Sequence, residues 1–149
     1  VAHYDEKLGR PVRRLAWCHI SESPPLWEYL TTRLPPGEAR WALRGERFMR
    51  GLMHRAFKVS AHARARMREL VLAELAVAAE RLQGKRYLVG DSFTAADLTF
   101  ASLLSPVLLP GVSDEEGRAR DAAFADLIGE IRATPGGAHA LRIIREHRP

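Results

Sequence analysis

Tyr87-Leu88-Val89-Gly90-Asp91-Ser92-Phe93-Thr94-Ala95-Ala96-Asp97-Leu98 is the stretch whose reading decides the fold. Thr94 and Asp97 have capping-box spacing: the threonine hydroxyl is placed to accept from the Asp97 amide, and the carboxylate to reach back to the Thr94 amide. Phe93, just before the cap, and Leu98 have the spacing of a hydrophobic staple. The helix that starts here is apolar almost all round, with Leu98, Phe100, Ala101, Leu103, Leu104 and Val107, so it is expected inside a bundle. A buried helix end needs its free amides satisfied, and such a cap contributes about 0.5–2 kcal/mol.

Working outward, helical periodicity continues on both sides and strand alternation is nearly absent, which predicts an all-α fold with at least five helices. Upstream, a helix is expected from about Tyr4 to Ile20, with Val1, Tyr4, Leu8, Val12, Leu15 and His19 on one face and a bend at Gly9-Arg10-Pro11. Ser23-Pro24 opens a short helix that ends before Pro35-Pro36. One helix is then expected over about Gly37 to Phe57. Its apolar face carries Trp41, Phe48, Met49, Leu52 and Met53, and its other face Arg40, Arg44, Arg47, Arg50, His54 and Arg55. Ser60 caps a long helix to about Leu82 with Met67, Val71, Leu75, Ala78 and Leu82 on a stripe, and Gly84 sits where a left-handed stop is wanted. Downstream, Pro110-Gly111 breaks the chain. Ser113 and Glu116 have capping-box spacing, although Gly117 favours a start nearer Asp121, and Thr134-Pro135 opens a last helix to about His147.

Composition agrees with this reading. The chain has 149 residues, enough for one domain over 1–149, and 46% hydrophobic against 28% charged residues builds a core without staples. The lone Cys18 makes no internal disulfide, so a reducing, cytoplasmic setting is expected. Val1 to Arg10 lacks the apolar run of a signal peptide, and Leu98 to Leu109 is too short to span a bilayer. The net charge of +5 rests on twenty arginines and three lysines, a pattern that reads as GC-rich bacterial coding. On this reading the arginine face from Arg40 to Arg55 carries no aromatic to stack on bases, so a solvated face rather than a nucleic-acid surface is expected.

The 87–98 segment closely resembles the capping-box and staple motif that opens the central helix of the C-terminal domain of cytosolic glutathione transferases. Asp5 to Arg14 resembles the first helix of that domain, and Ala133 to Ala138 with Arg145 to Arg148 resembles the end of bacterial members. The resemblance implies a glutathione transferase C-terminal-like helical bundle. It implies an N-terminal thioredoxin-like domain as partner, which this chain does not contain, and a homodimer as an open assembly. A membrane is not expected, nor is nucleic acid. Glutathione is implied as co-substrate only together with that missing domain. This chain is therefore expected to bind no cofactor alone, to carry no catalytic residue or metal site, and to be inactive by itself. The chain reads as a fragment, or as one of two polypeptides.

By the same resemblance the first helix borders the hydrophobic-substrate site, which makes Tyr4, Arg13, Arg14 and Trp17 the substrate-side candidates. On the helical wheel Trp17 shares an outward face with Arg10, Arg13 and Arg14, the expected docking face for the other domain. Phe93, Thr94, Asp97 and Leu98 are read as structural. Cys18 and His19 point about 100° apart on a helix and are not expected to pair. The same domain type also serves as a non-catalytic interaction module in translation factors and aminoacyl-tRNA synthetases, which keeps that alternative open.

Overall fold

Short caps and prolines partition the chain into helices. The computed structural model describes residues 4–109 and 112–147, so Val1, the Pro110-Gly111 break and Arg148 lie outside the described residues. A π-type turn over Asp5–Gly9 leads into α1 (Arg10–Ile20), followed by α2 (Pro24–Thr31), α3 (Pro36–Arg44), α4 (Glu46–Ala56) and α5 (Ala61–Leu82). After the 83–94 connection come α6 (Ala95–Leu108), α7 (Asp114–Arg120), α8 (Ala122–Ala133) and α9 (Pro135–His147). There is no strand among the described residues.

The bend expected at Pro11 takes the form of the π-type turn, which places the proline, with no N–H to give, in the first turn of α1. Ser60 Oγ accepts from the Ala63 amide at 3.0 Å and starts α5. The stop of α5 differs from expectation: Gln83 itself takes the left-handed conformation (φ 37°) and Gly84 (φ 80°) follows it. Both candidate starts in the 113–121 stretch are used. Ser113 and Glu116 cap α7, and Asp121 Oδ1 accepts from the Phe124 amide at 2.9 Å to open α8.

The core lies where α1, α5, α6, α8 and α9 meet. Leu8, Leu15, Leu75, Phe100, Leu104 and Ile131 are fully buried, and loss of one such side chain to alanine costs about 2–5 kcal/mol. Helix α9 comes close enough to α5 that a side chain at Gly136 would meet the Leu75 carbonyl at 2.9 Å. A side chain at Gly137 would overlap the Ile131 carbonyl at 1.9 Å, so glycine is required there. The Gly137 amide donates to Thr134 Oγ1 at 3.0 Å, the expected cap of α9.

Two expectations need correction. Helix α6 is not enclosed on every side: Phe100, Ala101, Leu104 and Val107 face inward, but Leu98 is about half exposed, because the covering helices reach only one flank. The single helix expected over 37–57 is two, broken at Gly45, and neither has a buried residue. Of its apolar residues Met49 packs against the core, whereas Trp41 and Phe48 are 76% and 75% exposed, and on the separate second helix Phe48 falls on the same side as Arg55 rather than opposite it.

Candidate functional site

Two places in the fold gather side chains of chemical interest. The first is the start of α6. Asp97 is fully buried, and its carboxylate has four partners. Oδ2 accepts from the Thr94 amide (3.0 Å) and the Thr94 hydroxyl (2.8 Å). Oδ1 accepts from the Leu88 amide (2.8 Å) and faces His139 Nε2 at 3.0 Å. The capping arrangement is present, with the threonine hydroxyl donating a hydrogen bond to the carboxylate.

The tautomer of His139 follows from its other neighbour. Arg142 Nη2 lies 3.0 Å from His139 Nδ1 and has only protons to give, so Nδ1 accepts and the ring proton sits on Nε2, donated to Asp97. The imidazole is held neutral, its pKa lowered by burial first and by the Arg142 charge second, against the pull of Asp97. Burial opposes the charge on Asp97, but the Leu88 amide and the Thr94 hydroxyl and amide outweigh it and hold the carboxyl below its ordinary range. Every lone pair in use is internal and the group is closed to solvent, which makes it a structural joint between α6, α9 and the 83–94 connection. Arg142 carries the network outward to Glu146 (3.0 Å), which also holds Arg86 (3.2 Å).

Around this joint, Phe93 stacks on His147 with centroids 4.0 Å apart. Arg132 closes the other end of α6: its guanidinium donates to the Leu108 carbonyl (2.7 Å) and the Leu109 carbonyl (3.2 Å) and pairs with Asp114 at 2.6 Å. His139, Arg142 and Arg132 escaped sequence reasoning, since each acts on a partner outside its own helix.

The second place is an apolar cavity of about 550 Å³ between α1, α2 and the α3–α4 hairpin. Trp17, Trp27, Leu30, Leu34, Trp41 and Met49 form most of its wall. Trp17 stacks on Phe57 (5.6 Å, 17°) and leans on Trp27 (6.4 Å, 50°). Thr31, the polar side chain in the wall, spends its hydroxyl on the Glu28 carbonyl at 2.8 Å. Such a wall offers area and ring faces and fixes no charge.

The substrate-side candidates separate. Trp17 lines the cavity. Arg14 is turned away to the Phe57 carbonyl (2.9 Å) and the Lys58 carbonyl (3.3 Å), fastening the end of α4 to α1. Arg13 is exposed. Tyr4 lies in the core, edge-on to Phe100 at 5.5 Å, with its hydroxyl accepting from Arg81 at 2.9 Å. The expected outward face of Arg10, Arg13, Arg14 and Trp17 is thus corrected in half: Arg10 and Arg13 are exposed, but the chain's own hairpin partly covers Trp17 and engages Arg14, a contact some 40 residues away in sequence.

Cys18 and His19 make no hydrogen bond to each other among the described residues. Burial pushes the Cys18 thiol up, and burial with the nearby Arg64 charge lowers His19 to about 4, stacked on Phe124 at 4.9 Å. No group of three metal-ligating side chains occurs among the described residues, and no described helix is long and apolar enough to cross a membrane. Comparison with known families matches residues 41–117 to the model described as glutathione S-transferase, C-terminal domain. No curated protein and no solved structure matches the chain.

Proposed function

The chain belongs to the glutathione S-transferase C-terminal domain family, and from that premise we propose that it forms one wall of a hydrophobic-electrophile site beside a glutathione-binding thioredoxin-like domain. The cavity lined by Trp17, Trp27 and Trp41 is the observation that carries this reading. In the proposed division of labour the other domain holds the glutathione thiolate. This chain adsorbs the apolar electrophile and keeps it in reach of the sulfur, an effect of proximity and desolvation rather than of acid–base chemistry. With no charged side chain among the residues that line it, the wall favours uncharged apolar substrates.

Trp41 at the cavity rim is the residue to test, because its exposure separates binding from folding. In the protein carrying both domains, Trp41→Ala should raise KM for an apolar electrophile about three- to tenfold, the loss of one aromatic contact of about 0.5–1.5 kcal/mol, and leave KM for glutathione unchanged. An electrophile KM that does not move would sink the proposal. The second reading, a non-catalytic interaction module, draws on a different observation, the outer surface of the α3–α4 hairpin.

A further inference from the structure

The outer side of α4 combines features that ordinary solvated helices keep apart. Arg47, Gly51 and Arg55 follow one another at one-turn spacing, and Phe48, Leu52 and Ala56 form the adjacent row. Together they line an open groove of about 640 Å³. Gly51 leaves its floor empty: a side chain there would meet nothing within 4 Å. Phe48 is 75% exposed, and Leu52 is also exposed.

The arginines of this groove differ from those that the fold holds in ion pairs. Eight others are ion-paired, from Arg64 with Glu22 to Arg142 with Glu146. Even Arg50, on the inner side of the same helix, is held by Glu46 at 2.9 Å. Arg47 and Arg55, like Arg40 and Arg44 on α3, have no carboxylate partner among the described residues. A groove with an apolar row, an empty floor and two unmatched cations about 12 Å apart along the helix has a definite complement.

We infer that this groove is a docking strip for an acidic amphipathic helix of a partner protein, one with two carboxylates about two turns apart and apolar side chains between them. The carboxylates meet Arg47 and Arg55, and the apolar residues enter over Gly51 between Phe48 and Leu52. Charge disfavours a second copy of this chain seated on the same strip, since that would set these arginines against their own copies. Geometry disfavours a bilayer: on the helical wheel Arg55 lies about 20° from Phe48, so inserting the ring would drag the guanidinium down with it.

The test uses a labelled helical peptide with two glutamates spaced two turns apart and leucines between them on the same face. A counterpart with lysines in their place, and vesicles of phosphatidylglycerol and phosphatidylcholine, complete the set. The acidic peptide should bind and the lysine peptide should not. Affinity should fall at least tenfold in the Arg47→Glu/Arg55→Glu double variant and in Gly51→Leu, with circular dichroism unchanged, and should weaken as salt rises. Equal affinity for both peptides, binding indifferent to these substitutions, or preference for the vesicles would overturn the inference. So would self-association of the free chain that Phe48→Ser abolishes.

Discussion

The start of α6 and the α3–α4 hairpin are written in the same helical code and end in opposite environments. At α6, one carboxylate with no exposed surface satisfies two backbone amides, a hydroxyl and an imidazole drawn from three parts of the chain. In the hairpin, two amphipathic helices present Trp41 and Phe48 to solvent and bury no residue of their own. Helical period therefore predicts a helix and its faces, but not which face has a partner. A cap buried among converging elements becomes a joint of the fold, whereas an apolar stripe that meets its neighbours along one edge only stays largely a surface.

The contrast breaks most directly at Asp97. From the cap alone Asp97→Ala is expected to cost about 1–3 kcal/mol. The observed partners raise that, because removal strands the Leu88 and Thr94 amides and the His139 N–H inside the bundle, so about 3–5 kcal/mol is expected from chemical denaturation. A loss below about 1 kcal/mol would mean that water reaches the helix start and the joint is not closed.

Acid probes the same interior more gently. His19 is held neutral with its pKa lowered to about 4, from an ordinary value of 6.5. The folded state therefore binds fewer protons than the unfolded one across that interval. Stability is fully present above about pH 6.5 and declines as pH falls toward 4, by about 3 kcal/mol from this group. His139, also lowered, adds a decline of the same sign. The depressed Asp97 carboxyl contributes stability that is lost only at lower pH, as it protonates. Thermal melts across pH 4–7 should show the slope, and His19→Phe, which keeps a ring against Phe124, should flatten it. An unchanged slope in that variant would assign the titration elsewhere.

The smallest effect is expected in the hairpin. Phe48→Ser should leave stability within about 0.5 kcal/mol, since the ring touches little that folding covers. A loss of about 2 kcal/mol or more would show that Phe48 is buried on folding in solution and would erase the contrast.

Much of the fold was legible because capping and periodicity act within one turn. Ser60, Thr94, Ser113, Asp121 and Thr134 each sit next to the helix they open, and three-residue spacings expose them. The candidate site was less so. Trp17 was found, but its surroundings were misread, because Phe57 and Trp27 approach it from other helices. Gly45 gave no decisive sign that it would split a helix, since glycine is tolerated inside helices at a cost of about 1 kcal/mol.

By itself, the sequence determined an all-α chain, most of its helix boundaries, the Thr94–Asp97 cap and the stripe of α5 that enters the core. These depend on neighbours one to four residues apart, where chain connectivity fixes the geometry. Only the tertiary structure decided that His139 completes the cap from 42 residues away, that Arg132 closes the far end of α6, that the hairpin roofs Trp17, and that the outer arginines of α4 stay unpaired. Burial and pairing of that kind depend on which surfaces meet in space, and no local spacing carries that information.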